Sequence, residues 1–412
     1  MERTAASLTS AGPVPALAFA AAPHRLMFLA GAFNVLAAMA WWTLWLTDTR
    51  WHVLNLPPSP IPAGWMHAVV MQYLVLPPFF FGFLFTVFPR WMNLAPLRRV
   101  HYLPVGACFL AGQLLTLGGT VSAPALRTGI LLTLVAWGTG SAILGRLLLQ
   151  ETGRTWHARS CFAALCAGFL GLLMFLRFLF TFDTRWLFAA VQLGASSVLL
   201  PVFFTVCHRM IPFFAGAVIP GYRAYRPMWA LALAWALLQL HTLLLLMHAY
   251  HWSWLPDAPL TLLCVWLLWQ WWHPAARRTP LLLVLFVGFA WLPIAMALFS
   301  AQSIAFVLSG EFLMGRAPVH ALFIGCFGSL LVAMVTRVTQ GHSGRPLVLG
   351  RTAAVCFLLI QGVALLRIVA EFMPDAGGWY AFAAAGWLVA FAPWVVRSVW
   401  IYLTPRADGA PG

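Results

Sequence analysis

Histidine offers the most chemistry in this sequence. Twelve histidines stand beside nine carboxylates and 24 basic residues, every one of them arginine. His67 and His320 each fall just inside the same end of an apolar run, at matching depth, and His241 and His248 share the corresponding half of another. Imidazole is the commonest side-chain ligand of haem iron and copper, and bundles hold such groups with ligands on facing helices at equal depth. These four are the candidate ligands. Each taken alone reads more readily as an interfacial hydrogen-bonding residue near a helix end. His24, His101, His157, His208, His273 and His342 fall at the opposite ends, where loop carbonyls and lipid phosphates account for them without a metal.

Two arginines, Arg177 and Arg367, lie inside apolar runs, where each needs a carboxylate, a carbonyl or a bound anion. A haem propionate would serve Arg367. The alternative for both is snorkelling toward the nearer interface. No acid is expected deep in any run, which removes the usual signature of an ion-coupled transporter; Glu371 comes near a helix end. The seven cysteines form no C-x-x-C or C-x-x-C-H pattern, which argues against a disulfide framework, a zinc site and covalently attached haem.

The elements that position these residues follow from composition. Hydrophobic residues make up 62% of the chain and charged residues 8%, far below the roughly 25% of a soluble domain. Apolar runs of about twenty residues recur, each long enough to cross a hydrocarbon core of roughly 30 Å as a helix. Breaks between runs place helices near 26–46, 66–88, 103–120, 128–149, 160–181, 186–208, 228–250, 257–273, 280–300, 317–338, 352–372 and 379–402. The expected fold is an all-α polytopic bundle of about twelve transmembrane helices. It forms a single membrane domain over 26–403, with short cytoplasmic segments at 1–25 and 404–412.

Loop charges test that count independently. With the amino terminus inside, eighteen of the 24 arginines fall in cytoplasmic segments; only Arg50, Arg127, Arg185 and Arg316 fall on the outer side. One missed helix would spoil the alternation. The chain is thus expected in a bacterial inner membrane, with both termini cytoplasmic and the lipid bilayer as its main partner. The formal charge of +15 is spread through short loops rather than along one stripe, so it does not point to nucleic acid. A weakly apolar stretch at 15–22 is short and proline-interrupted, which disfavours a signal peptide.

Several ordered motifs resemble the NnrS family, bacterial membrane proteins with haem and copper that are linked to nitric oxide metabolism and nitrosative stress. They are Pro23-His24-Arg25, Gly82 to Thr86 with Pro89 and Trp91, Arg209 to Phe214 read as a turn ending a helix, and His320 through Arg337 to Gly341-His342-Ser343-Gly344-Arg345-Pro346. A closing segment holds Pro405, Arg406, Asp408, Gly409, Pro411 and Gly412. The resemblance runs nearly end to end. It departs at Trp65-Met66-His67-Ala68, where the family carries His-x-His-Glu, and at Phe286 and Phe289, where a histidine and a tyrosine are expected. The resemblance therefore implies a divergent member that keeps b-type haem on His67 and His320 near Arg367, with a lost or altered copper site to which His241 and His248 are the remaining candidates. Twelve helices with histidines near one face are also similar, at the level of fold alone, to haem–copper oxidases.

Three functions stay open. One, which the resemblance implies, is a haem protein that acts on, or protects against, nitric oxide or iron-nitrosyl species, as in denitrification. Another is a non-enzymatic transporter, or an assembly or scaffold protein for metal or haem centres. The third is a purely structural subunit without a chromophore. Neither catalytic residues nor an electron donor can be read from the sequence.

Overall fold

The computed structural model describes residues 18–409. The expected amino-terminal segment lies outside the described residues up to residue 17, as does the tip of the closing motif, Pro411 and Gly412. The described chain is helical throughout, without strands. Its long helices are α1 (Pro23–Trp51), α2 (Ala63–Trp91), α3 (Arg99–Gly118), α4 (Ala123–Gln150), α5 (Trp156–Thr181), α6 (Thr184–Val218), α7 (Met228–Leu246), α8 (Trp254–Trp271), α9 (Pro280–Ser309), α10 (Ala317–His342), α11 (Arg351–Phe372) and α12 (Ala376–Leu403). All except α8 are long and apolar enough to cross a membrane. Four tryptophans, two prolines, Asp257 and Gln270 make the 18-residue α8 less apolar than its neighbours.

Helix starts follow local chemistry. Proline occupies the first turn of α1, α4 and α9, where its missing N–H costs nothing. The side chains of Ser122, Asp183 and Asp375 accept from backbone N–H groups at the starts of α4, α6 and α12. Small residues let α3 and α4 lie against each other: a Cβ on Gly112 would come within 2.5 Å of Thr133 Oγ1.

Three helices form the middle of the bundle. The spans α2, α10 and α6 are 89%, 78% and 72% buried. Each contains a wide-turn π segment: Met71–Val75, Ala321–Gly328 and Leu193–Leu199. Prolines explain two of them. Pro77 and Pro78 follow the first, and Pro201 follows the third; a proline can neither donate to the carbonyl four residues back nor sit close to it. Opposite Pro78, the carbonyl of Leu74 accepts instead from Asn34 Nδ2 on α1 at 2.6 Å. Tyr73 then donates to the Ala190 carbonyl of α6 at 2.5 Å. The segment in α10 has glycines in place of proline, and Trp291 of α9 packs where a Cβ on Gly325 would sit.

Several boundaries differ from the sequence reading: α1 runs to Trp51 rather than 46, α4 starts at Ala123 rather than 128, α9 runs to Ser309 rather than 300, and two further differences move motif residues. Helix α1 begins at Pro23, so His24 and Arg25 belong to its first turn rather than to a tail. Helix α6 continues to Val218, so Arg209 to Phe214 is helical and not a turn. Tertiary packing holds that extension: Arg209 lies 4.3 Å over the ring of Trp91, and Arg337 of α10 lies 4.0 Å over Phe214.

Three of the motifs separated by hundreds of residues meet at one end of the bundle. Arg25 Nη1 donates to the carbonyl of Thr404, Arg406 Nη1 donates to that of His342, and the ring of His24 lies 4.6 Å from that of His342. Gly344 has φ of +67°, and the Asp408 carboxylate occupies the space a Cβ there would need. Only glycine meets both demands.

Candidate functional site

The other end of the bundle contains a cavity of about 560 Å³ between α1, α2, α10, α11 and α12. That volume falls within the roughly 300–1,000 Å³ of cofactor and small-molecule sites. His67, His320 and Arg367 all line it, together with Arg316, Gln72, Tyr380 and the indoles of Trp42, Trp45, Trp65 and Trp387. Residues far apart in sequence therefore share one enclosure.

Each histidine is fixed by a neighbour. The ring of His67 stacks on Trp42, with centroids 4.3 Å apart and planes within 11°. His320 Nδ1 is 2.9 Å from the carbonyl oxygen of Arg316, one turn earlier. A carbonyl can only accept, so Nδ1 carries the proton and Nε2 keeps a free lone pair. This is the arrangement by which ligating histidines are usually oriented. His67 precedes the π segment of α2 by four residues, and His320 directly precedes that of α10; such segments are frequent at functional sites.

The cavity is cationic on one side. Arg367 is only 7% exposed, lies 3.8 Å over the ring of Tyr380, and bonds to Glu371 Oε1 at 2.6 Å. Gly315, with φ of +48°, lets the turn before α10 pass against the Glu371 carboxylate. Arg316 makes no ion pair among the described residues, so two guanidinium groups share the site with one carboxylate. Behind the lining, Gln72 Oε1, set against Gly194 of α6, and Trp387 Nε1 are buried without a hydrogen-bond partner among the described residues. Two imidazoles, two guanidinium groups and flanking indoles are a donor set that suits a porphyrin with its carboxylates.

The other two candidates do not converge. His241 is buried in α7, its Nδ1 2.6 Å from Asp257 Oδ1 of α8. His248 is exposed after α7, where it bonds to the Tyr250 hydroxyl at 2.7 Å and stacks on Phe188. Among the described residues, no group of three or more His, Cys, Asp or Glu side chains is placed to hold a metal ion. Phe286 and Phe289 pack against Trp272 and Trp271. The residues present therefore do not fit a copper centre built on His241 and His248.

Several further features were not read from the sequence. Asp257, expected at a helix edge, is fully buried in the first turn of α8. The sequence shows no acid at the centre of a run, but burial here depends on α7 and α9 closing around that turn. His157 and His208, expected to meet loop carbonyls or phosphates, are buried and bonded to each other, Nε2 to Nδ1 at 3.0 Å. Arg177 rests over Trp186 at 4.7 Å, an exposed position in keeping with snorkelling. Arg316 was read only as a loop charge; its place four residues before His320, on the same helical face, was the available signal.

No curated protein matches the chain. The family model described as NnrS protein matches residues 18–406, nearly the whole length. This polytopic helical membrane protein therefore belongs to the NnrS family.

Proposed function

We propose that the cavity between α1, α2, α10, α11 and α12 binds b-type haem, and that the protein acts in nitric oxide metabolism or in protection from nitrosative stress. Membership of the NnrS family ties the chain to nitric oxide at the level of the family. The observation that carries the finer reading is the convergence of His67, His320 and Arg367 on one 560 Å³ cavity. His320 would present Nε2 to the iron, oriented by its Nδ1–H bond to Arg316, and His67 would be the second ligand, held flat by Trp42. Arg367 and Arg316 would pair with the carboxylates of the macrocycle, and the four indoles would exclude water from its faces. The group supplies an iron that binds nitric oxide when one ligand position is open, or passes electrons when both histidines stay bound.

The arginine distribution supports reading this cavity as facing the outer side of a bacterial inner membrane, with both termini in the cytoplasm. The buried His241–Asp257 pair favours a second reading, a carrier or scaffold for metal or haem centres, because intramembrane acid–histidine pairs suit proton relays.

A reduced-minus-oxidised visible spectrum of the detergent-purified protein decides between them. One b-type haem per chain, lost in His320→Ala and in His67→Ala while folding is retained, supports the first reading. A colourless protein, or normal haem content in both variants, overturns it.

A further inference from the structure

A second void lies deeper in the bundle, between α2, α6 and α10. It measures about 50 Å³, several times the roughly 10–15 Å³ that one water molecule needs. No polar surface lines it; its walls include Phe80, Leu84, Val202, Phe203 and Leu330. A water molecule there would find none of the two to four polar partners it requires, so the void stays dry. Dry apolar cavities take up small apolar solutes such as xenon.

Its position relates it to the larger cavity. Phe323 lines the 560 Å³ cavity, and Phe203 lines the smaller void. Between them stands Phe327, edge-on to Phe323 at 5.2 Å and stacked on Phe203 at 4.3 Å. This aromatic stack links the walls of the two spaces along α10. On its other side the void is rimmed by Phe83, Val206 and Met334, which are half-buried and so reach the lipid-facing surface of the bundle.

We propose that this void is the access site for an apolar diatomic gas, which leaves the hydrocarbon of the bilayer past Val206 and Met334 and reaches the larger cavity across the Phe203–Phe327–Phe323 stack. Such a solute prefers hydrocarbon to water, so a route through the apolar interior avoids the cationic lining of Arg316 and Arg367. The class of gas rests on the function proposed above; the void and its dryness do not.

Two measurements test it. Crystals of the purified protein pressurised with xenon should show xenon among Phe80, Phe203 and Leu330, and Val206→Phe, which fills the rim from the lipid side, should abolish that peak. In stopped-flow mixing of the reduced haem protein with nitric oxide, Val206→Phe and Val202→Leu should slow association at least several-fold at unchanged haem content. Ordered water or empty space in place of xenon overturns the proposal, as does nitric oxide association at the wild-type rate in both variants. A preparation with no haem defeats the functional reading instead, and the xenon result still decides the void.

Discussion

The imidazole of His67 lies flat on the indole of Trp42, centroids 4.3 Å apart and planes within 11°. The contact joins α1 to α2 at the cavity and fixes the ring plane of a candidate iron ligand. Trp42→Ala should lower haem content or shift the visible bands of the bound haem, and Trp42→Phe should restore most of the loss. Unchanged spectra in the alanine variant would show that the stack does not orient His67.

Arg367 and Glu371 form a buried pair one turn apart on α11. Breaking such a pair from one side leaves an uncompensated buried charge, which costs about 3–5 kcal/mol. Glu371→Gln should therefore lower the thermal midpoint more than the double variant Arg367→Gln/Glu371→Gln. Tight binding of a carboxylate-bearing macrocycle should recover part of the loss in Glu371→Gln, because its carboxylate replaces the missing partner. Equal midpoints for the single and double variants would refute the pairing.

The buried pair of His241 with Asp257 joins α7 to α8. Asp257→Ala leaves the His241 Nδ1 without a partner, which should cost roughly 1–3 kcal/mol. Under the haem reading the visible spectrum stays unchanged, since neither residue lines the cavity. Loss of the haem signal in a folded Asp257→Ala protein would link this pair to the site.

At the end of α1, Arg50 grips Asp375 through paired hydrogen bonds of 2.9 and 3.0 Å. Hydrogen bonding to Arg50 is the main reason that the Asp375 carboxyl is held below its ordinary value, and the Gly378 N–H adds to it. A carboxylate with a depressed folded pKa contributes stability above its unfolded value, near 3.9, and that contribution fades as pH falls through the lower folded value. Both side chains are about half exposed, so the effect is small and weakens with salt. Asp375→Asn should flatten the acid limb of the midpoint-against-pH curve below about pH 4. An identical acid limb in the variant would count against the pair.

Helix number, order and approximate limits were legible in the sequence, because lipid forces every apolar run of sufficient length to satisfy its own backbone as a helix. Family membership was legible too, since its motifs are local strings. His67, His320 and Arg367 could be named because ionisable groups at membrane depth are few. Whether they share a space was not legible. Periodicity gives the face of a helix but not the neighbour it meets, and the π segments of α2, α6 and α10 shift that face partway along each helix. Packing alone brought Arg316, Gln72 and Tyr380 into the cavity. Packing also joined His157 to His208 and His241 to Asp257, pairs whose members come from different helices and carry no common sequence signal.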